Sequence, residues 1–123
     1  DVLVADGGTR TASITGAWIA LYQAIRRAKL KGQVSQSLAI KPICAVSVGQ
    51  ISEQLVLDLS YEEDSCADFD LNIVYNEDFS IVEIQGTAEK HALDRRAINT
   101  LLDIGEKGAA QLFMKQKEIL NLK

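Results

Sequence analysis

Ala5-Asp-Gly-Gly-Thr-Arg-Thr-Ala-Ser-Ile-Thr-Gly-Ala17 places a glycine pair between an apolar run and a helical stripe. Ahead of it, Val2-Leu3-Val4 predicts a short strand over residues 1–5. Behind it, Ile14, Trp18, Leu21 and Ile25 recur at helical spacing and predict a helix over about 11–30. The glycines therefore sit at a strand-to-helix turn. Gly7 and Gly8 allow close backbone approach and unusual dihedrals. The first N–H groups of a helix are unpaired, and its dipole favours negative charge there. Thr9 adds a hydroxyl and Arg10 a planar charged fork suited to phosphate. A tight turn with a capping threonine and a surface arginine fits the same residues. The stretch is neither G-x-x-x-x-G-K-[ST] nor G-x-G-x-x-G, so the local pattern names no particular anion.

The rest of the chain reads as one domain, residues 1–123. Apolar residues are 47% and charged residues 24%, as in globular proteins. No apolar run approaches the ~20 residues of a membrane span, and a membrane partner is not expected. Cys44 and Cys66 lack metal spacing and read as reduced thiols, which predicts a cytoplasmic protein. Gly32–Ser37 reads as a loop. Ile43–Val48 is a continuous apolar run, a central strand buried on both faces. Gln50–Glu53 predicts a turn, and alternation from Leu55 to Tyr61 predicts a strand with one wetter face. Further strands are predicted over residues 68–75 and 80–85, joined by Asn76-Glu-Asp78. Asp94 is a candidate N-cap for a last helix, in which Gly105 and Gly108 invite a kink or break. Strands in succession with short turns argue an α+β fold, a mostly antiparallel sheet with helices packed on one side.

Glu62, Glu63, Asp64, Asp68 and Asp70 crowd a second stretch. Period two puts Asp68 and Asp70 on one strand face, and Asp64 could fold back over it from the preceding turn. Two or three converging carboxylates suit Mg²⁺, which prefers oxygen ligands and keeps several waters. A solvated acidic turn is the plainer account. His91, Ser13 and Ser65 have no nucleophile–base pairing around them. Ser13 reads as a first-turn residue able to assist the anion site.

Four segments in order resemble ribonuclease PH, a family of phosphate-dependent 3′→5′ exoribonucleases that trim tRNA-precursor 3′ ends. They are Asp6–Gly16, Ala45-Val-Ser-Val-Gly49, Asp58–Asn72 and Glu83-Ile-Gln-Gly-Thr-Ala-Glu89. Exosome ring proteins and polynucleotide phosphorylase share that fold. The Lys90-His-Ala-Leu-Asp94 segment departs from the Gly-x-x-Phe frequent in relatives. The resemblance implies the ribosomal-protein-S5-domain-2-like fold and a homohexameric ring. It implies inorganic phosphate as co-substrate, bound by Gly8, Thr9 and Arg10, and release of nucleoside diphosphates from RNA. It carries the catalytic and metal-binding roles to Asp64 and Asp70, with Mg²⁺ or Mn²⁺, and leaves Asp68 outside the ligand set. It also implies an upstream half with a second phosphate-binding arginine and RNA-holding basic residues, so this chain reads as the C-terminal half of a subunit. The net charge of −4 agrees, because RNA binding needs basic surface. Arg26, Arg27, Lys29 and Lys31 cluster near a helix end, where they complement the dipole. The alternative is a ring-forming or phosphate- or RNA-binding fragment without catalysis.

Overall fold

The computed structural model describes residues 2–90 and 92–122. The element order is α1 (Thr9–Leu30), β1 (Ile43–Ile51), β2 (Gln54–Leu57), α2 (Tyr61–Cys66), β3 (Phe69–Asn76), β4 (Ile81–Ala88) and α3 (Arg95–Leu120). The strands form one antiparallel sheet in the order β2-β1-β3-β4. This is the expected α+β architecture.

The helical layer on one side of the sheet is α3. Cys44, Val46 and Val48 of β1 and Leu71, Ile73 and Tyr75 of β3 turn towards it, and Leu101, Ala109 and Phe113 meet them. The kink invited by Gly105 and Gly108 does not occur, because both glycines are contact points. A Cβ on Gly105 would stand 2.7 Å from the Tyr75 hydroxyl, and one on Gly108 would stand 2.8 Å from a Leu57 methyl. The Tyr75 hydroxyl donates to the Leu102 carbonyl at 3.0 Å. Burial pushes its pKa up to about 12.

The first helix closes an edge. β2 pairs with β1 only over residues 48–51, which leaves the first half of β1 with a free edge. Thr15 fills it. Its hydroxyl accepts from the Ala45 N–H at 3.0 Å and lies 3.4 Å from the Ala45 carbonyl. The Gln116 amide of α3 donates to the Ile43 carbonyl at 2.9 Å and to that of Thr15 at 3.3 Å. Trp18 donates to the Lys41 carbonyl at 2.8 Å. The buried face of α1 is therefore Thr11, Thr15 and Trp18, not the full apolar stripe, and Leu21 is half exposed. A helix docked on backbone groups needs hydroxyls where one docked on a core needs methyls.

Two expected strands change. Residues 2–6 form no strand, and Leu3 and Val4 are 94% and 93% exposed. A strand needs a ladder partner, and no other strand among the described residues lies beside them. The strand expected over 55–61 stops at Leu57. Asp58 takes a left-handed φ of 60°, and the chain turns into α2. The two cysteines are free thiols, Cys44 buried and Cys66 exposed.

Candidate active site

The sheet face away from α3 carries three cross-strand rows: Ala45–Val74–Glu83, Ser47–Asn72–Gln85 and Gly49–Asp70–Thr87. The start of α1 opens towards this face. Gly8 is the N-cap with φ 66° and ψ 20°, a left-handed conformation that glycine adopts at no steric cost. The N–H groups of the first turn have no helical partner. The Thr9 hydroxyl donates to the Asp6 carbonyl at 3.0 Å, leaving its oxygen free to accept. Arg10 reaches over the sheet, and its Nη2 lies 2.6 Å from Glu83 Oε1. Both side chains are over two-fifths exposed. Such a pair contributes about 0–1 kcal/mol, so a more highly charged anion can displace the glutamate.

The loop before α1 lies against the entry to α2. Any Cβ on Gly7 would run into the Leu59 carbonyl and the Ser60 backbone. Asp6 Oδ1 accepts from the Gly7 N–H at 2.8 Å and from the Tyr61 N–H at 2.7 Å. These bonds, that from Tyr61 foremost, hold the Asp6 carboxyl below the usual carboxylate range. The acidic stretch thus separates by role. Glu63 completes a capping box with Ser60: Ser60 N–H donates to Glu63 Oε2 at 2.8 Å, and Glu63 N–H to Ser60 Oγ at 3.3 Å. Asp64 is exposed on α2. Asp68 precedes β3, and its carboxylate is engaged by the Ser52 N–H at 3.1 Å and by Lys90 Nζ at 3.3 Å. Asp70 is half-buried on β3, on the face it shares with Asn72. Burial raises its pKa, and the charges of Asp64 and Glu89 raise it further.

Asp64 and Asp70 therefore sit close enough to repel. No group of three or more side chains able to hold a metal ion comes together among the described residues; the charges of Asp64 and Glu89 both reach Asp70. The donor chemistry of Asp64 and Asp70, hard carboxylate oxygens that leave other positions to water, fits Mg²⁺ or Mn²⁺. Ser13 lies on the exposed side of α1 beyond its first turn, and Ser65 donates to the Glu62 carbonyl at 2.8 Å. His91 lies outside the described residues. Sequence reasoning missed α2, Asp6 and Glu83. The Ser60-x-x-Glu63 spacing is a legible capping signal. Nothing in the order of residues announces that Asp6 meets Tyr61 or that Arg10 meets Glu83.

The four-stranded antiparallel sheet with its helices has counterparts among solved structures. The archaeal exosome core resembles this chain at 27% identity with TM-score 0.56, over 63% of this chain and 31% of that one. The Archaeoglobus fulgidus exosome with RNA bound to the active site shares the fold, at 24% identity, TM-score 0.56, and 72% and 35% coverage. The profile of the 3′ exoribonuclease family, domain 2, matches residues 41–108, and the chain belongs to that family. It is 50% identical over 121 residues to ribonuclease PH of Corynebacterium kroppenstedtii, covering 98% of this chain and 48% of that protein. Ribonuclease PH of Corynebacterium efficiens is 52% identical over 122 residues, with 99% and 50% covered. The chain spans about half the length of the curated relatives it matches.

Proposed function

We propose that this chain is the C-terminal half of a phosphorolytic 3′→5′ exoribonuclease that trims tRNA-precursor 3′ ends, a tRNA nucleotidyltransferase working in the cytoplasm on tRNA and rRNA precursors. The carrying observation is the family membership, and the geometry supports it. The start of α1 and the Asp64–Asp70 pair border one open sheet face, linked by the contact of the α1 loop with the α2 entry.

Inorganic phosphate binds at the start of α1. The first-turn N–H groups after Gly8 point at it, the Thr9 hydroxyl orients it, and Arg10 leaves Glu83 to grip two of its oxygens. An oxygen of that phosphate attacks the 3′-terminal phosphodiester of the RNA. The bond to the penultimate 3′-oxygen breaks, and a nucleoside diphosphate leaves. Asp64 and Asp70 would hold the divalent cation, which offsets charge on the phosphoryl and the leaving oxygen. A carboxyl of Asp64 or Asp70 that does not ligate the cation would serve as general acid to the leaving oxygen. An N-terminal half supplies the second arginine and the basic RNA surface that a chain of charge −4 lacks. A homohexameric ring completes the assembly.

Arg10→Lys tests the anion site in the polypeptide containing both halves. Lysine keeps the charge and loses the fork. The KM for inorganic phosphate should rise about ten-fold, since a hydrogen bond to a charged group is worth about 1.5–3 kcal/mol. The melting temperature should be unchanged. Wild-type phosphate dependence in this variant removes Arg10 from the site.

A further inference from the structure

We propose that Asp6 is a positioning residue that couples phosphate binding at the start of α1 to cation binding at Asp64 and Asp70. The inference rests on the function proposed above and goes beyond it by naming the link between the two sites. The link is one oxygen atom. Asp6 Oδ1 takes the Gly7 N–H at 2.8 Å on the anion-loop side and the Tyr61 N–H at 2.7 Å on the other. Tyr61 is the first residue of α2, and Asp64 follows within the same turn. The main-chain carbonyl of Asp6 accepts the Thr9 hydroxyl, so the same residue also steadies a phosphate contact.

The second observation is what α2 lacks. It has six residues and buries none of them. Side-chain packing therefore does not decide where Asp64 stands. Both ends of the helix fix that position: at the entry the Ser60 capping box, the Asp6–Tyr61 bond, and the backbone of Leu59 and Ser60 pressed against Gly7, and at the exit the buried Ala67 and the bond from Lys90 Nζ to the Cys66 carbonyl at 2.7 Å. Gly7 cannot move towards α2, and the Asp6 bond keeps it from moving away. A shift of the anion loop then pulls on the entry of α2, one turn from Asp64. Coupling of this kind is reciprocal: if the cation improves phosphate affinity, phosphate improves cation affinity by the same factor.

The test uses the polypeptide containing both halves. The Kd of inorganic phosphate is measured by titration calorimetry at a series of Mg²⁺ concentrations, and the Kd of Mg²⁺ with and without phosphate. In the wild type each ligand should tighten the other. Asp6→Ala should weaken phosphate binding about ten-fold at saturating Mg²⁺ and abolish the mutual effect. Asp6→Asn keeps an acceptor at Oδ1 and should retain most of it. Tyr61→Pro attacks the same bond from the other side. Proline suits a first helical position, and Ser60 is already extended at φ −67° and ψ 167°. The N–H is lost together with the side chain of a residue that is 67% exposed. This variant should lose the coupling as Asp6→Ala does, and the double variant should be no worse than either single one. Should Asp6→Ala fail to fold, Tyr61→Pro carries the test. Mutual tightening that survives in Tyr61→Pro overturns the proposal, as does additive loss in the double variant. So does a wild type that binds phosphate without regard to Mg²⁺ while still releasing nucleoside diphosphates. A wild type without phosphate-dependent release overturns the function reading, and this inference with it.

Discussion

At the residue scale, the site is a set of charges held in unfavourable company. Arg10 is paired with Glu83, which phosphate would have to displace in the proposed reaction, and Asp70 is half-buried under the charges of Asp64 and Glu89. The raised Asp70 pKa has a definite consequence for stability. Ionising Asp70 costs more in the fold than in the unfolded chain. The penalty is absent below the unfolded value of 3.8 and complete above the raised folded value. Asp70→Asn removes it. At neutral pH without divalent cations, this variant should melt a few degrees higher than wild type, and the gain should vanish at acid pH. Adding Mg²⁺ should stabilise the wild type and leave the variant unmoved. Phosphorolysis by the full polypeptide should be abolished while phosphate still binds. Melting curves across pH, with and without Mg²⁺, decide it; equal responses of the two proteins would leave the carboxylates as a solvated cluster. Asp6 works in the opposite sense. Its carboxyl is lowered, so its contribution is present above 3.8 and is lost as pH falls through the lowered folded value.

At the scale of elements, the glycines distinguish helix faces that pack from helix faces that meet water. Gly16 lies in α1 with nothing within 4 Å of where a Cβ would stand. Gly105 lies in α3, where a Cβ would meet the Tyr75 hydroxyl at 2.7 Å and an Ile73 methyl at 3.2 Å. Helix propensity favours alanine over glycine by about 1 kcal/mol at both positions. Gly16→Ala should therefore stabilise the chain by about 0.5–1 kcal/mol. Gly105→Ala should destabilise it by about 1–3 kcal/mol, because the core atoms it meets are not the free ends of flexible chains. Urea midpoints of the two variants should move in opposite directions. Movement in the same direction would show that α3 does not approach the sheet this closely.

At the scale of the whole molecule, much apolar surface faces water. Leu3, Val4 and half of Val2 are exposed, and so are Ile81, Val82 and Ile84 on the edge strand β4. An unpaired edge with apolar side chains is a template for association. The charge of −4 opposes RNA at long range. The 123-residue chain by itself should therefore associate and release few or no nucleoside diphosphates from tRNA-like RNA, even with phosphate and Mg²⁺. Adding the N-terminal half of a ribonuclease PH subunit should restore RNA binding and a ring-sized particle. Light scattering and a nucleotide-release assay read both. Efficient phosphorolysis by the chain alone would refute the half-subunit reading.

The order of residues was enough to determine most of the fold and to nominate the candidate site. Period two over residues 69–75 and the unbroken apolar run from Ile43 are legible as strands, because alternation and hydrophobicity are local properties of the chain. Gly7, Gly8, Thr9 and Arg10 mark a candidate anion loop for the same reason: dihedral freedom, a hydroxyl and a charge belong to the residues themselves. Tertiary structure decided the rest. Val2-Leu3-Val4 has the composition of a strand and forms none, since a ladder needs a second strand. Thr11 and Thr15 turn inward in place of Leu21, since the helix docks on the open backbone edge of β1. Gly105 lies in an unbroken helix, since its missing side chain makes room for Tyr75. Asp68 and Asp70, alike in sequence, part company because Ser52 and Lys90 engage one and burial isolates the other. The bond between Asp6 and Tyr61, 55 residues apart, exists only because the sheet brings two loops to the same place. Its physics is that of any hydrogen bond, and its location is a property of the folded chain alone.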